Sequence, residues 1–88
     1  MGNEPVRPED VLPDGADGTE IDGAYVRKGS VAAFIGNVRA LAEAESSTPR
    51  WAAIVAQLRE LKPALDRIGV LEVFEIRDPV LRALVDGL

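Results

Sequence analysis

Cysteine and histidine are both absent from this 88-residue chain. With them go disulfides, thiolate nucleophiles, Cys/His zinc sites, imidazole bases and axial haem histidines. Aromatics are scarce as well: Tyr25, Phe34, Trp51 and Phe74 are all there are, so the core must be assembled from Ala, Val, Leu and Ile. No apolar run approaches the ~20 residues that span a bilayer. The first residues lack the basic n-region and apolar stretch of a secretory leader, and Gly2 is followed by Asn3-Glu4-Pro5-Val6 without the Ser/Thr of a myristoylation signal. The expectation is a soluble, cytoplasmic protein with no membrane partner. The lack of cysteine is compatible with a reducing compartment.

Basic residues are scarce at one end of the chain. Residues 1–22 hold Glu4, Glu9, Asp10, Asp14, Asp17, Glu20 and Asp22 against Arg7 alone, whereas the remaining nine bases and eight acids nearly cancel. The net charge of -5 therefore describes an arm more than a body. Residues 1–18 also carry Pro5, Pro8, Pro13, Gly2, Gly15 and Gly18 with scattered apolar residues, too few to offset the entropy of ordering. We expect a disordered acidic arm over 1–18, either a solubilising terminus or a segment that orders on a basic partner, and a single small domain over 19–88. A chain this short has room for one hydrophobic core.

The body reads as mainly α, three to four short helices packed as a small bundle behind an N-terminal β-hairpin. The hairpin is signalled by Asp22-Gly23 between Glu20-Ile21 and Ala24-Tyr25-Val26, since Asp-Gly favours a two-residue turn with positive φ. Ile21, Tyr25 or Val26 should lean on the helices, because a lone hairpin is marginal. Ser30 then reads as the N-cap of a helix over 31–45 with an apolar stripe of Val31, Phe34, Ile35, Val38, Leu41 and Ala42. Thr48-Pro49 starts a second helix on Trp51, Ile54, Val55, Leu58 and Leu61. Pro63 predicts a kink or break near Lys62, and Gly69 a stop. Residues 70–76 are β-prone in composition, yet Glu72 and Glu75 keep helical spacing; helix or irregular structure is favoured over strand. Asp78-Pro79 opens a terminal helix with Val80, Leu81, Leu84, Val85 and Leu88 on one face.

Val26-Arg27-Lys28-Gly29-Ser30-Val31-Ala32 with Asn37, and Pro63-Ala64-Leu65-Asp66-Arg67-Ile68-Gly69-Val70-Leu71-Glu72-Val73-Phe74, resemble two segments of a family of small uncharacterised bacterial proteins, a domain of unknown function. Its members share a Gly-Thr/Ser-Val-Ala helix start and a Pro-x-Leu-x-x-Val/Ile-Gly segment. The likeness covers roughly residues 19–76; Leu71 stands where an aromatic is usual, and the Asp78-Pro79 helix runs past the usual end. The resemblance implies a fold and no catalytic residue.

Few residues carry chemistry. Arg27, Lys28, Gly29 and Ser30 set two cations beside a helix start, whose free N–H groups favour anions; capping is the alternative reading of the same residues. Ala33, Gly36, Ala40 and Ala44 form a row of small residues on the first helix, either an intramolecular packing groove, with Ala52 and Ala56 as counterparts, or a self-association surface. Trp51 is in phase with the core positions, with a surface anchor as the alternative. Glu72 and Glu75 read as solvated acids, unless a pocket gathers one of them with an arginine. Arg59, Lys62 and Arg67 make a small basic edge on which the acidic arm could rest, too sparse for nucleic acid. The expectation is therefore a non-catalytic protein-interaction or regulatory module, self-associating or bound to another protein. It needs no cofactor or metal and has no nucleic-acid partner. A small-anion-binding module at Arg27 to Ser30 is the alternative, and a carboxylate-based enzyme follows behind it.

Overall fold

Asp22 and Gly23 both adopt positive φ, 49° and 80°, which is the backbone twist that joins two strands through a two-residue turn. In the computed structural model, which describes residues 6–7 and 15–88, this turn links β1 (Gly18–Ile21) to β2 (Ala24–Arg27). The strands are antiparallel with Thr19 opposite Val26 and Glu20 opposite Tyr25. Opposed residues share a face, so Thr19 and Val26 turn inward, Val26 buried and Thr19 half-buried, while Glu20 and Tyr25 stay exposed. Of the residues expected to lean on the helices, Val26 does so; Tyr25 instead lies over Gly18, where an added Cβ would sit 2.7 Å from the ring and 2.5 Å from the Val26 carbonyl oxygen. The expected arm falls for the most part outside the described residues. Gly18 itself belongs to the hairpin, and the Lys28 N–H donates to the Asp17 carbonyl at 2.6 Å.

Four helices follow: α1 (Ser30–Glu43), α2 (Pro49–Ile68), α3 (Val70–Val73) and α4 (Pro79–Asp86). The structure corrects the expected role of Ser30. Gly29, at φ 87°, is the residue before α1 and turns the chain out of β2. Ser30 is thereby drawn into the first turn, buried, and its hydroxyl donates to the Arg27 carbonyl at 2.7 Å. A hydroxyl spent backwards on the hairpin cannot cap the helix in front of it. Its work is to fasten β2 to α1.

Thr48 and Asp78 are N-caps as expected. Thr48 Oγ1 accepts from the Trp51 N–H at 3.2 Å and donates to the Glu45 carbonyl at 2.7 Å. Asp78 Oδ1 accepts from the N–H groups of Val80 and Leu81 at 2.8 and 3.2 Å. Each is followed by proline at a position where no N–H is needed. Thr48→Ala is expected to cost about 1 kcal/mol, lowering the thermal midpoint by roughly 4–8 °C in a domain of this size. A circular-dichroism melt that does not move would show that the cap is dispensable.

Of the kink or break expected near Lys62, the break is absent: α2 runs through Pro63 as one helix of 20 residues. Proline deprives the carbonyl four residues back of its donor, here that of Arg59. Arg59 and Pro63 are both exposed, so water can meet that carbonyl. On the opposite side Leu58 and Leu65 are fully buried and hold both halves of the helix to one core. The stop at Gly69 is present, with φ 81° and its N–H on the Asp66 carbonyl at 3.2 Å. α3 is a single turn that ends at Phe74 in extended backbone, and residues 74–76 belong to no helix or strand.

The core gathers Phe34 and Leu41 from α1, Ile54, Val55, Leu58 and Leu65 from α2, and Val85 from α4. Trp51 is half-buried against it. β2 packs on α2, and the Arg67 guanidinium donates to the Asp22 carbonyl, tying the hairpin turn to the end of that helix.

Candidate functional site

The apolar stripe of α1 is wider than the neighbours that cover it. Phe34 and Leu41 go to the core, but Ile35 remains 50% exposed and Val31 39%. Across from them the chain leaves α3 with Phe74 at 70% exposure. Isolated exposed apolar residues are ordinary; contiguous ones mark contact sites.

Here they are contiguous. A cavity of about 450 Å³ opens between Val31, Phe34 and Ile35 of α1 and Val70, Leu71 and Phe74. A second, about 330 Å³, continues it between Val38, Arg39 and Ala42 of α1 and Arg77, Asp78 and Leu81. Phe34, Ile35 and Ile76 line both, so the two are halves of one apolar groove along α1. Residues 31 to 42 span about 16 Å at the helical rise. The groove has one wall from α1 and one from the 70–81 segment, held against α1 by Val85 in the core.

The groove's rim is charged unevenly. Asp78 is committed to capping α4. Glu75 pairs with Arg82 at 3.1 Å, and the same guanidinium donates to the Ile76 carbonyl at 3.0 Å, latching the 74–78 segment onto α4. Arg39 and Arg77 are exposed and enter no ion pair among the described residues. The uncommitted charge beside the groove is positive.

The structure distributes the residues singled out in the sequence elsewhere. Arg27, Lys28 and Gly29 are exposed around the start of α1, while the Ser30 hydroxyl faces back to the hairpin. In the small-residue row, Ala40 and Ala44 pack partly against the core, but Ala33 and Gly36 are exposed, with nothing within 4 Å of a Cβ built on Gly36. Among the described residues no other helix closes on that half of the row, and Ala52 and Ala56 are exposed as well. With 3.6 residues per turn, the row lies on the far side of α1 from the groove.

Glu72 and Glu75 are not brought to one place. Glu72 borders a hollow with Asp66, Gly69 and Leu71. Glu75 and Arg82 border a small cleft of about 100 Å³ with Leu71, Phe74, Ile76 and Asp86. In the basic edge, Lys62 pairs with Asp66 at 3.1 Å and Arg67 holds the hairpin turn. Among the described residues no three acidic side chains gather as a metal ion would require, and no helix is long and apolar enough to cross a membrane.

Sequence reasoning passed over the groove because Val31 and Ile35 read as part of one apolar stripe on α1, and 70–76 read only as helix or irregular structure. The trace it left was a surplus, with more apolar positions on α1 and in 70–80 than the short α4 can cover. Comparison with protein-family models, with curated proteins and with solved structures finds no match.

Proposed function

We propose that this protein is a non-catalytic interaction module whose contact surface is the groove between α1 and the 70–81 segment. The observation that carries the reading is the continuity of the two cavities around Ile35 and Ile76, with Ile35 and Phe74 half-exposed or more along it. A groove of that length, lined by residues at i, i+3, i+4 and i+7 of a helix, accepts the apolar face of a second helix of about three turns. Its open lining suits a macromolecular partner better than a small molecule, which is ordinarily buried over most of its surface.

The test uses a display library of helical peptides with apolar anchors at i, i+3 or i+4 and i+7, selected on the full chain. Selected peptides are expected to lose at least tenfold in affinity for Ile35→Asp and for Phe74→Ala. Both changes fall on exposed positions and should leave the melting curve close to wild type. Peptides that bind both folded variants as well as the parent would remove the groove from the proposal. Light scattering over a range of concentrations addresses self-association: a mass fixed at 9.4 kDa leaves the groove open for another chain.

A further inference from the structure

Resting on that reading, we infer that the groove's partner is an acidic amphipathic helix, whose apolar face enters between Ile35 and Ile76 while its flanking carboxylates meet Arg39 and Arg77. The argument is one of committed and uncommitted charge. Four charged groups border or adjoin the groove's wall from residues 75 to 82, and three of them are satisfied within the chain: Asp78 by the N–H groups of α4, Glu75 and Arg82 by each other. What remains is Arg77 on one wall and Arg39 on the other, both exposed and both lining the same end of the groove. Their stems contribute apolar surface to it while the guanidinium heads stay in water, which is where a carboxylate flanking an apolar anchor would arrive. Arginine's planar fork binds carboxylates with two parallel hydrogen bonds, so the pair selects acids by geometry as well as by sign.

A second copy of this chain fits less well. A two-fold contact through the groove would present the same surface from both sides and bring the two arginines of each copy, against a single Asp78 engaged as a cap, into one interface. The groove's positive end instead asks for a partner of opposite charge, and complementarity of this kind sets specificity and association rate more than total affinity.

The same peptide library, with randomised residues flanking the anchors, tests the charge claim on the full chain. Selection on the parent is expected to enrich Asp and Glu over Lys and Arg at those flanks. Selection on the double variant Arg39→Glu/Arg77→Glu should reverse that preference. The enriched acidic peptides should bind the double variant about threefold to tenfold more weakly, as two exposed ion pairs allow, and weaken on the parent as salt rises. Flanks without charge preference, or a preference unmoved by the double variant, would overturn the inference. If those peptides still depend on Ile35, the groove stands and only its partner's charge is wrong. If they do not depend on Ile35, the groove reading itself has failed.

Discussion

Leu58→Ala is expected to cost about 2–5 kcal/mol and to lower the melting midpoint by more than 10 °C. Leu58 is fully buried in the middle of α2, and it shares a core with residues of α1 and α4. Truncation removes the transfer free energy of its outer carbons and leaves a cavity that three elements would have to move together to fill. The cost is large against the whole, because a chain of this length holds about 4–13 kcal/mol of net stability. Chemical denaturation with a tryptophan readout is convenient, since Trp51 is the single tryptophan and is half-buried against the same cluster. A loss below about 1 kcal/mol would mean that the core closes around the deletion, and that α1, α2 and α4 are less tightly bound together than their packing indicates.

Pro63→Ala is expected to act in the opposite direction, stabilising the chain by about 1–3 kcal/mol. In a helix interior proline is roughly 3 kcal/mol worse than alanine, because it removes a hydrogen bond and crowds the preceding turn. Since α2 continues through Pro63, the native chain already bears that cost, offset by the burial of Leu58 on one side and Leu65 on the other. Alanine returns the donor to the Arg59 carbonyl without disturbing the buried face, because Pro63 is exposed. The gain falls short of the full difference to the extent that the helix has already relaxed around the ring. A destabilised Pro63→Ala variant would show that the ring's rigidity in the unfolded chain outweighs its strain in the helix.

These two residues also mark where local chemistry stops being a sufficient guide. Asp22-Gly23, Thr48-Pro49 and Asp78-Pro79 were legible because each device is complete within a few residues: a turn with two positive φ angles, or an oxygen placed before a proline. Gly69 was legible for the same reason. At Pro63 the proline was legible but the helix's continuity was not, since its local tendency to end a helix is overridden by leucines whose partners lie on α1 and α4. Ser30 went astray over a local competition, its hydroxyl having two acceptable destinations and Gly29 deciding between them. The groove was hidden for a third reason. Which flank of α1 is left uncovered depends on where α4 docks, and that is settled by Val85 entering a core formed mostly by residues far from it in sequence. Helical periodicity marks Val31 and Ile35 as apolar, but it does not reveal that the chain runs out of helix before covering them.

The brevity of α4 gives the groove a lifetime of its own. This helix has 8 residues and a single fully buried one, Val85; Leu81 and Leu84 pack only partly against the core, and the Asp78 cap and the Arg82 latch complete its attachment. So small a unit is expected to open at a lower free energy than the α1–α2 pair. Its amide protons are therefore expected to exchange with deuterium well ahead of those around Leu58, on a timescale that reports one wall of the groove swinging away. A helix seated against both walls would bind only the closed form and would slow that exchange in proportion to its occupancy. The wall that moves becomes the gauge of whether anything is there.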